Sequence, residues 1–196
     1  MLTPTIATGV GAGLAELEAA GATTVGLVNG DLAGWSAPAA VLSAPAYLLK
    51  PGSRLLAECF GPVAVVAEYA DESELREALV ALPGSLAATV IAAGPEDPDA
   101  AWLVDALSVT AGRVTVGDWP TGVSWTWAQT HGGPWPATTN DKVTSVGAAA
   151  LDRWVRPVTY QSVAEEWLPP AGQSKNPWRL PRRVDGRLVI PRKPRG

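Results

Sequence analysis

The sequence predicts an α/β fold: a mostly parallel sheet with flanking helices, followed by an extended C-terminal tail. Three observations predict it. Short β-prone runs alternate with helical periods up to residue 116, the connections between runs are long enough for parallel crossovers, and the last stretch is rich in Pro and Arg. The length of 196 residues, 47% of them apolar, suits one domain with a core, or one domain plus a tail. Charge divides the chain. Residues 1–172 hold 7 basic and 18 acidic side chains, whereas residues 173–196 hold 8 basic and 1 acidic. We therefore expect a body over 1–172 and a basic tail over 173–196. With one Trp and no interleaved aromatics, the tail does not have the stacking groups of a nucleic-acid binder. The expectation is a solubilising tail, or one docked on its own acidic body, with no nucleic-acid partner.

Each element has a local cause. Residues 3–20 read as a helix, with Ile6, Val10, Leu14 and Leu17 near one face and Gly21 as its stop. Gly9, Gly11 and Gly13 do not make a dinucleotide loop, because Leu14 breaks the spacing and no strand precedes them. Small residues for close helix packing are the better reading. Thr24–Val28 is a strand closed by Asn29-Gly30-Asp31, and the apolar run 39–49 is interrupted by Pro45. Val63–Tyr69 is a strand rich in β-formers. Asp71 and Glu74 then form a capping box for a helix with Leu75, Ala78, Leu79 and Leu82 inward, and Glu72 and Arg76 pair one turn apart.

Residues 86–92 return to strand. Asp97-Pro98 opens a helix with Trp102, Leu103, Ala106 and Leu107 as its buried stripe, and Val114–Val116 is strand again. Residues 117–143 hold Gly, Pro, Thr and several Trp without a helical period, as expected of a long ordered loop. After it we expect a helix over 144–154 capped by Thr144 or Ser145, a strand over 156–161, a short helix over 163–168, and a small hairpin turning at Asp185-Gly186.

Composition also excludes. No apolar run reaches the ~18 residues a membrane span needs, and no basic stretch precedes an apolar one at the N-terminus. Cys59 is the only cysteine, so neither an intramolecular disulfide nor a zinc site of several cysteines is possible, and no metal is expected. The expected compartment is the cytoplasm.

The sharpest pattern is Glu58-Cys59-Phe60-Gly61-Pro62, at the entry to the strand Val63–Tyr69. It resembles the E-x-F-G-P motif of the aldehyde dehydrogenase superfamily, with Ala57 where a second acid often stands. Order and spacing continue the resemblance through Gly84–Thr89, Ala111–Val116, Trp119-Pro120-Thr121-Gly122-Val123, His131–Thr139, Thr144–Gly147 and Arg156–Gln161. This series resembles the branch that oxidises 2,5-dioxovalerate (α-ketoglutaric semialdehyde) to 2-oxoglutarate. The resemblance implies the C-terminal part of an aldehyde dehydrogenase catalytic domain, with an oligomerisation strand near 156–161 and a homo-oligomer or a separate N-terminal half as partner.

The resemblance also implies a reaction: NAD or NADP takes hydride from a thiohemiacetal formed by a cysteine thiolate and a small aldehyde. Water activated by a glutamate then hydrolyses the thioester. Glu58 would accept hydrogen bonds from the nicotinamide ribose hydroxyls, as two carboxylate oxygens suit a vicinal diol, and Phe60 would pack near the nicotinamide. Trp125, Trp127 and His131, on the long loop, are candidates for lining the substrate entrance. In the family, the nucleophile, its general base and the Rossmann-like domain lie upstream of the motif. Here only 57 residues precede Glu58, with no cysteine and no cofactor fingerprint among them.

The chain is therefore expected to lack a catalytic nucleophile, to be inactive alone, and to expose apolar faces made for absent parts. The alternatives are a non-catalytic remnant acting as an oligomerisation or interaction module, and a basic-tailed binding module. Cys59 lies inside the motif and is read as a small packed side chain rather than as one half of a Cys59/His131 dyad. In any preparation that oxidises aldehyde, Cys59→Ser is expected to retain turnover, measured as NADPH absorbance; complete loss would reverse that assignment.

Overall fold

The computed structural model describes residues 1–31, 34–119 and 122–191. Pro120 and Thr121 of the Trp119–Val123 stretch, and the last five residues of the basic tail, lie outside the described residues. The chain divides into two compact units, Met1–Arg153 and Trp154–Gly196. The step in charge after residue 172 falls inside the second.

The first unit opens with α1 (Pro4–Ala19). Thr3 caps it by accepting the Ile6 N–H at 3.2 Å, and Pro4 takes the first helical position, where a missing N–H costs nothing. Its end is a Schellman arrangement: Ala22 N–H donates to the Leu17 carbonyl and Gly21 N–H to that of Glu18. Gly21 sits at φ +102°, a conformation that favours glycine.

Strands β1 (Thr23–Val28), β2 (Ala39–Pro45) and β3 (Val63–Glu68) form a sheet in that order. β1 and β2 are antiparallel, and β2 and β3 are parallel with Leu42 opposite Val65. Pro45 ends β2, and short 3-10 turns at Ala46–Leu48 and Arg54–Leu56 carry the chain across to β3. One face of this sheet packs on α1 and on the second turn, burying Leu17, Ala40, Leu42, Ala44 and Leu55. On the other face Val41 and Val66 are exposed; Val25, Leu27 and Val28 of the edge strand β1 are exposed as well.

Helix α2 (Glu72–Ala81) follows β3. Asp71 accepts the Glu74 N–H at 3.0 Å, and the Glu74 carboxylate accepts the Ala70 N–H at 2.6 Å, completing the expected cap one residue further out. Glu72 and Arg76 pair at 2.6 Å, and the Arg76 guanidinium also lies 4.0 Å from the centre of the Trp102 ring. That cation–π contact ties α2 to α3 (Ala100–Thr110). Only Leu107 of the expected α3 stripe is buried; Trp102, Leu103 and Ala106 are half-buried. Strands β4 (Ala88–Val90) and β5 (Val114–Val116), joined by α3, make a parallel pair. The body is thus two small sheets rather than one.

Two expected elements differ. Residues 144–154 contain a 3-10 helix at Ala148–Arg153, not an α-helix. Thr144 is buried, and its hydroxyl accepts the His131 N–H at 2.8 Å and donates to the Val146 carbonyl, so it pins the long loop instead of capping a helix. Gly147 at φ +90° then turns the chain away. In the second unit, residues 156–161 have no strand partner among the described residues. Without a neighbouring strand, this segment has no ladder to join among the described residues. The hairpin is as expected: β6 (Arg182–Val184) and β7 (Arg187–Val189) are antiparallel about Asp185 and Gly186, both at positive φ as a type I′ turn requires. Among the described residues, no helix is long and apolar enough to cross a membrane.

Asp97 and Pro98 form a turn ahead of α3 rather than its first residues. The Asp97 carboxylate accepts the N–H groups of Ala93 at 2.8 Å and Asp99 at 2.9 Å. The Ala93 bond first, then that of Asp99, holds its pKa below the usual carboxylate value. A lowered folded pKa gives stability that is present above the unfolded value and lost as pH falls through the folded one. Asp97→Ala is therefore expected to lower the melting temperature at pH 7, with the gap to wild type closing as the pH drops below the ordinary Asp range. A gap independent of pH would contradict this.

Candidate functional site

The turn Glu58–Pro62 is built from both of its ends. Upstream, the Ser53 hydroxyl accepts the Leu55 N–H, and Leu55 is buried in the core, fixing the 3-10 turn that delivers Ala57 and Glu58. Downstream, Ala40 N–H donates to the Pro62 carbonyl at 3.0 Å, and Val63 N–H to that of Gly61 at 2.9 Å. These bonds seat the turn at the start of the β2–β3 ladder.

α1 closes over the same turn at two glycines. A Cβ on Gly13 would lie 2.5 Å from the Cys59 Sγ, and one on Gly61 would lie 2.6 Å from a methyl of fully buried Val10. Cys59 is thus a half-buried packing group against α1. Nothing lies within 4 Å of a Cβ placed on Gly9 or Gly11, so close packing accounts for Gly13 alone. Arg54 adds polar contacts: its Nε pairs with Glu16 of α1 at 2.7 Å, and its Nη1 donates to the Ala57 carbonyl at 2.7 Å.

Held this way, Glu58 and Phe60 point outward, and Phe60 is 64% exposed. Among the described residues the Glu58 carboxylate has no hydrogen-bond partner, so its oxygens are open to accept from a ligand. Glu58 borders two clefts. One, of about 440 Å³, runs between α1 and the turn, with Glu16, Arg54, Cys59 and Phe60 on its walls. The other, of about 1080 Å³, lies between the turn and the approach to β4, with Leu17, Val63, Val65 and Ser85 on its walls. Both are large enough for part of a cofactor-sized ligand.

The structure separates the loop candidates from this centre. Pro136 and Ala137 bring the long loop to the larger cleft, whereas Trp125 and Trp127 are 86% and 81% exposed. His131 and these two tryptophans line neither cleft. His131 is held through its backbone: its N–H donates to Thr144, and its carbonyl accepts from Ser145 N–H at 3.0 Å and from the Ser145 hydroxyl. Its Nδ1 is buried with no hydrogen-bond partner among the described residues. Sequence reading missed Arg54, Glu16 and the Pro136-Ala137 contact. Arg54 carried no signal because its partners, 38 residues away and three residues on, meet only after folding.

No family model matches the chain. It is 41% identical over 146 residues to alpha-ketoglutaric semialdehyde dehydrogenase 2 of Azospirillum brasilense, covering 74% of this chain and 27% of that protein. To alpha-ketoglutaric semialdehyde dehydrogenase of Acinetobacter baylyi it is 41% identical over 142 residues, covering 72% of this chain and 27% of the relative. The chain therefore spans about a quarter of the length of these curated relatives. Among solved structures, Delta-pyrroline-5-carboxylate dehydrogenase of Mycobacterium tuberculosis bound with NAD superposes with a TM-score of 0.53 at 22% identity, over 84% of this chain and 30% of that one. That likeness shows the fold.

Gly13→Ala tests the close approach. Alanine improves helix propensity by about 1 kcal/mol, but overpacking costs about 1–3 kcal/mol, and the added Cβ also meets Arg54 Nη2 at 3.5 Å. A net fall in melting temperature is expected; a rise would mean that α1 and the turn are not in contact. The motif, its setting and the 41% identity over about a quarter of the relatives' length lead to one conclusion: the chain belongs to the aldehyde dehydrogenase superfamily.

Proposed function

We propose that this chain is part of an NAD(P)-dependent aldehyde dehydrogenase and supplies the nicotinamide-ribose side of its site. The observation that carries the proposal is Glu58: an exposed carboxylate without a protein partner among the described residues, on a turn fixed from both ends and bordering two clefts. Glu58 accepts the two ribose hydroxyls, and Phe60 beside it limits where the nicotinamide ring lies. The bound cofactor supplies the hydride acceptor. NAD in the Mycobacterium tuberculosis dehydrogenase supports this cofactor class. The names of the curated relatives support α-ketoglutaric semialdehyde as substrate and 2-oxoglutarate as product.

The chain is catalytically incomplete alone. Its only thiol, Cys59, is packed against Gly13 inside the motif, and it contributes no nucleophile to the aldehyde. Completion comes from the part of the enzyme that the relatives contain beyond the matched region. A second reading, a non-catalytic interaction module, is favoured by the exposed apolar residues Val41 and Val66 on the outer sheet face, and by the segment 156–161, which has no strand partner among the described residues and leaves Val158 and Tyr160 exposed. In both readings that segment serves as an oligomer contact.

The test combines turnover and binding. Purified chain with α-ketoglutaric semialdehyde and NADP is expected to give no rise in NADPH absorbance, yet to bind nicotinamide mononucleotide in ligand-observed NMR. Glu58→Ala is expected to weaken that binding about tenfold, the weight of one charge-assisted hydrogen bond. Turnover by the chain alone would contradict incompleteness. Binding without dependence on Glu58 would contradict the half-site, and absence of binding would favour the interaction module.

A further inference from the structure

We propose that Arg54, braced by Glu16, is a positioning residue for Glu58. The inference rests on the cofactor reading of Glu58 and goes one residue deeper into it. Arg54 stands where three pieces of backbone meet. Its Nε pairs with the Glu16 carboxylate of α1 at 2.7 Å, and its Nη1 donates to the carbonyl of Ala57, the residue that carries Glu58, at 2.7 Å. Its Nη2 passes over Gly13, where a Cβ would be 3.5 Å away. Gly13 and Glu16 are three apart and share a helix face, so one face of α1 receives both Cys59 and the guanidinium.

The geometry assigns a function to an ion pair whose energy alone would be minor. The Arg54 and Glu16 side chains are 27% and 60% exposed, and such pairs add little to stability. A planar guanidinium with two directed bonds at fixed separation is nevertheless a good ruler. It sets the distance between α1 and the Ala57 carbonyl, and with it the direction in which the next residue leaves the turn. Glu58 has no side-chain partner among the described residues, so its aim depends on its backbone. Arg54 and Glu16 also line the smaller cleft with Glu58 and Phe60, so the clamp forms part of the wall that the ligand meets.

Cys59 provides a reporter. It is the only thiol, follows Glu58 directly, and lies against Gly13, so its labelling rate by an aromatic disulfide reports how tightly the turn sits on α1. The experiment uses the full chain as wild type, Arg54→Met, Arg54→Lys, Glu16→Gln and Glu58→Ala. The readouts are melting temperature, Cys59 labelling rate and affinity for nicotinamide mononucleotide. Arg54→Met is expected to keep its melting temperature within about 3 °C, since a partly exposed pair contributes little. It is expected to label several-fold faster and to bind the mononucleotide about tenfold more weakly, as Glu58→Ala does.

Arg54→Lys keeps the charge and a donor and should recover part of both readouts. Glu16→Gln, which loosens the brace alone, should fall between Arg54→Met and wild type. Wild-type labelling and affinity in Arg54→Met, with Glu58→Ala impaired, would overturn the positioning role and leave the Glu58 reading standing. Faster labelling in Arg54→Met with Glu58→Ala binding normally would overturn the Glu58 reading, and the positioning role with it.

Discussion

The close approach of α1 to the turn Glu58–Pro62 is the constraint on which the rest of the body depends. Two glycines permit it: Gly13 on the helix facing Cys59, and Gly61 on the turn facing Val10. Because Val10 and Leu17 lie on the same helix face, the contact that seats the turn also lays α1 on Leu42 and the inner face of the sheet. A helix glycine costs about 1 kcal/mol relative to alanine, and the burial it permits offsets that cost. Moving the helix outward by the width of a methyl group would loosen the core and the turn together. The core is small, so few other contacts remain to hold this arrangement.

The legible parts of the fold are those decided by neighbours in sequence. The Gly21 stop, the Asp71/Glu74 cap, the Glu72–Arg76 pair and the Asp185-Gly186 turn are all interactions within a few residues, and each is where the sequence places it. The failures occur where a distant partner decides. Thr144 has the chemistry of a helix cap, but the His131 N–H, 13 residues away, captures its hydroxyl. Residues 156–161 have the composition of a strand but no strand partner among the described residues. The α3 stripe is apolar by period, but the small body buries only Leu107 of it.

The site divides along the same line. Glu58 and Phe60 stand out in the sequence because five consecutive residues carry the motif, and the structure leaves both exposed on the turn. Gly13 was legible only as a small residue suited to packing. Arg54 and Glu16 were not legible at all, since the bond between them links residues 38 apart. Trp125, Trp127 and His131 drew notice by residue type, yet the loop meets the larger cleft through Pro136 and Ala137. Burial and contact, rather than chemical distinctiveness, select which loop residues face the cleft.

The turn, held from both ends, presents one carboxylate and one aromatic ring, with exposed apolar residues on the sheet beside it. The central claim is that the Glu58 carboxylate receives a vicinal diol. The most direct measurement compares nicotinamide mononucleotide with its analogue lacking both ribose hydroxyls, each titrated against wild type and Glu58→Ala. The account predicts that removing the hydroxyls weakens binding to wild type and leaves binding to Glu58→Ala unchanged. An equal loss in both proteins would contradict it.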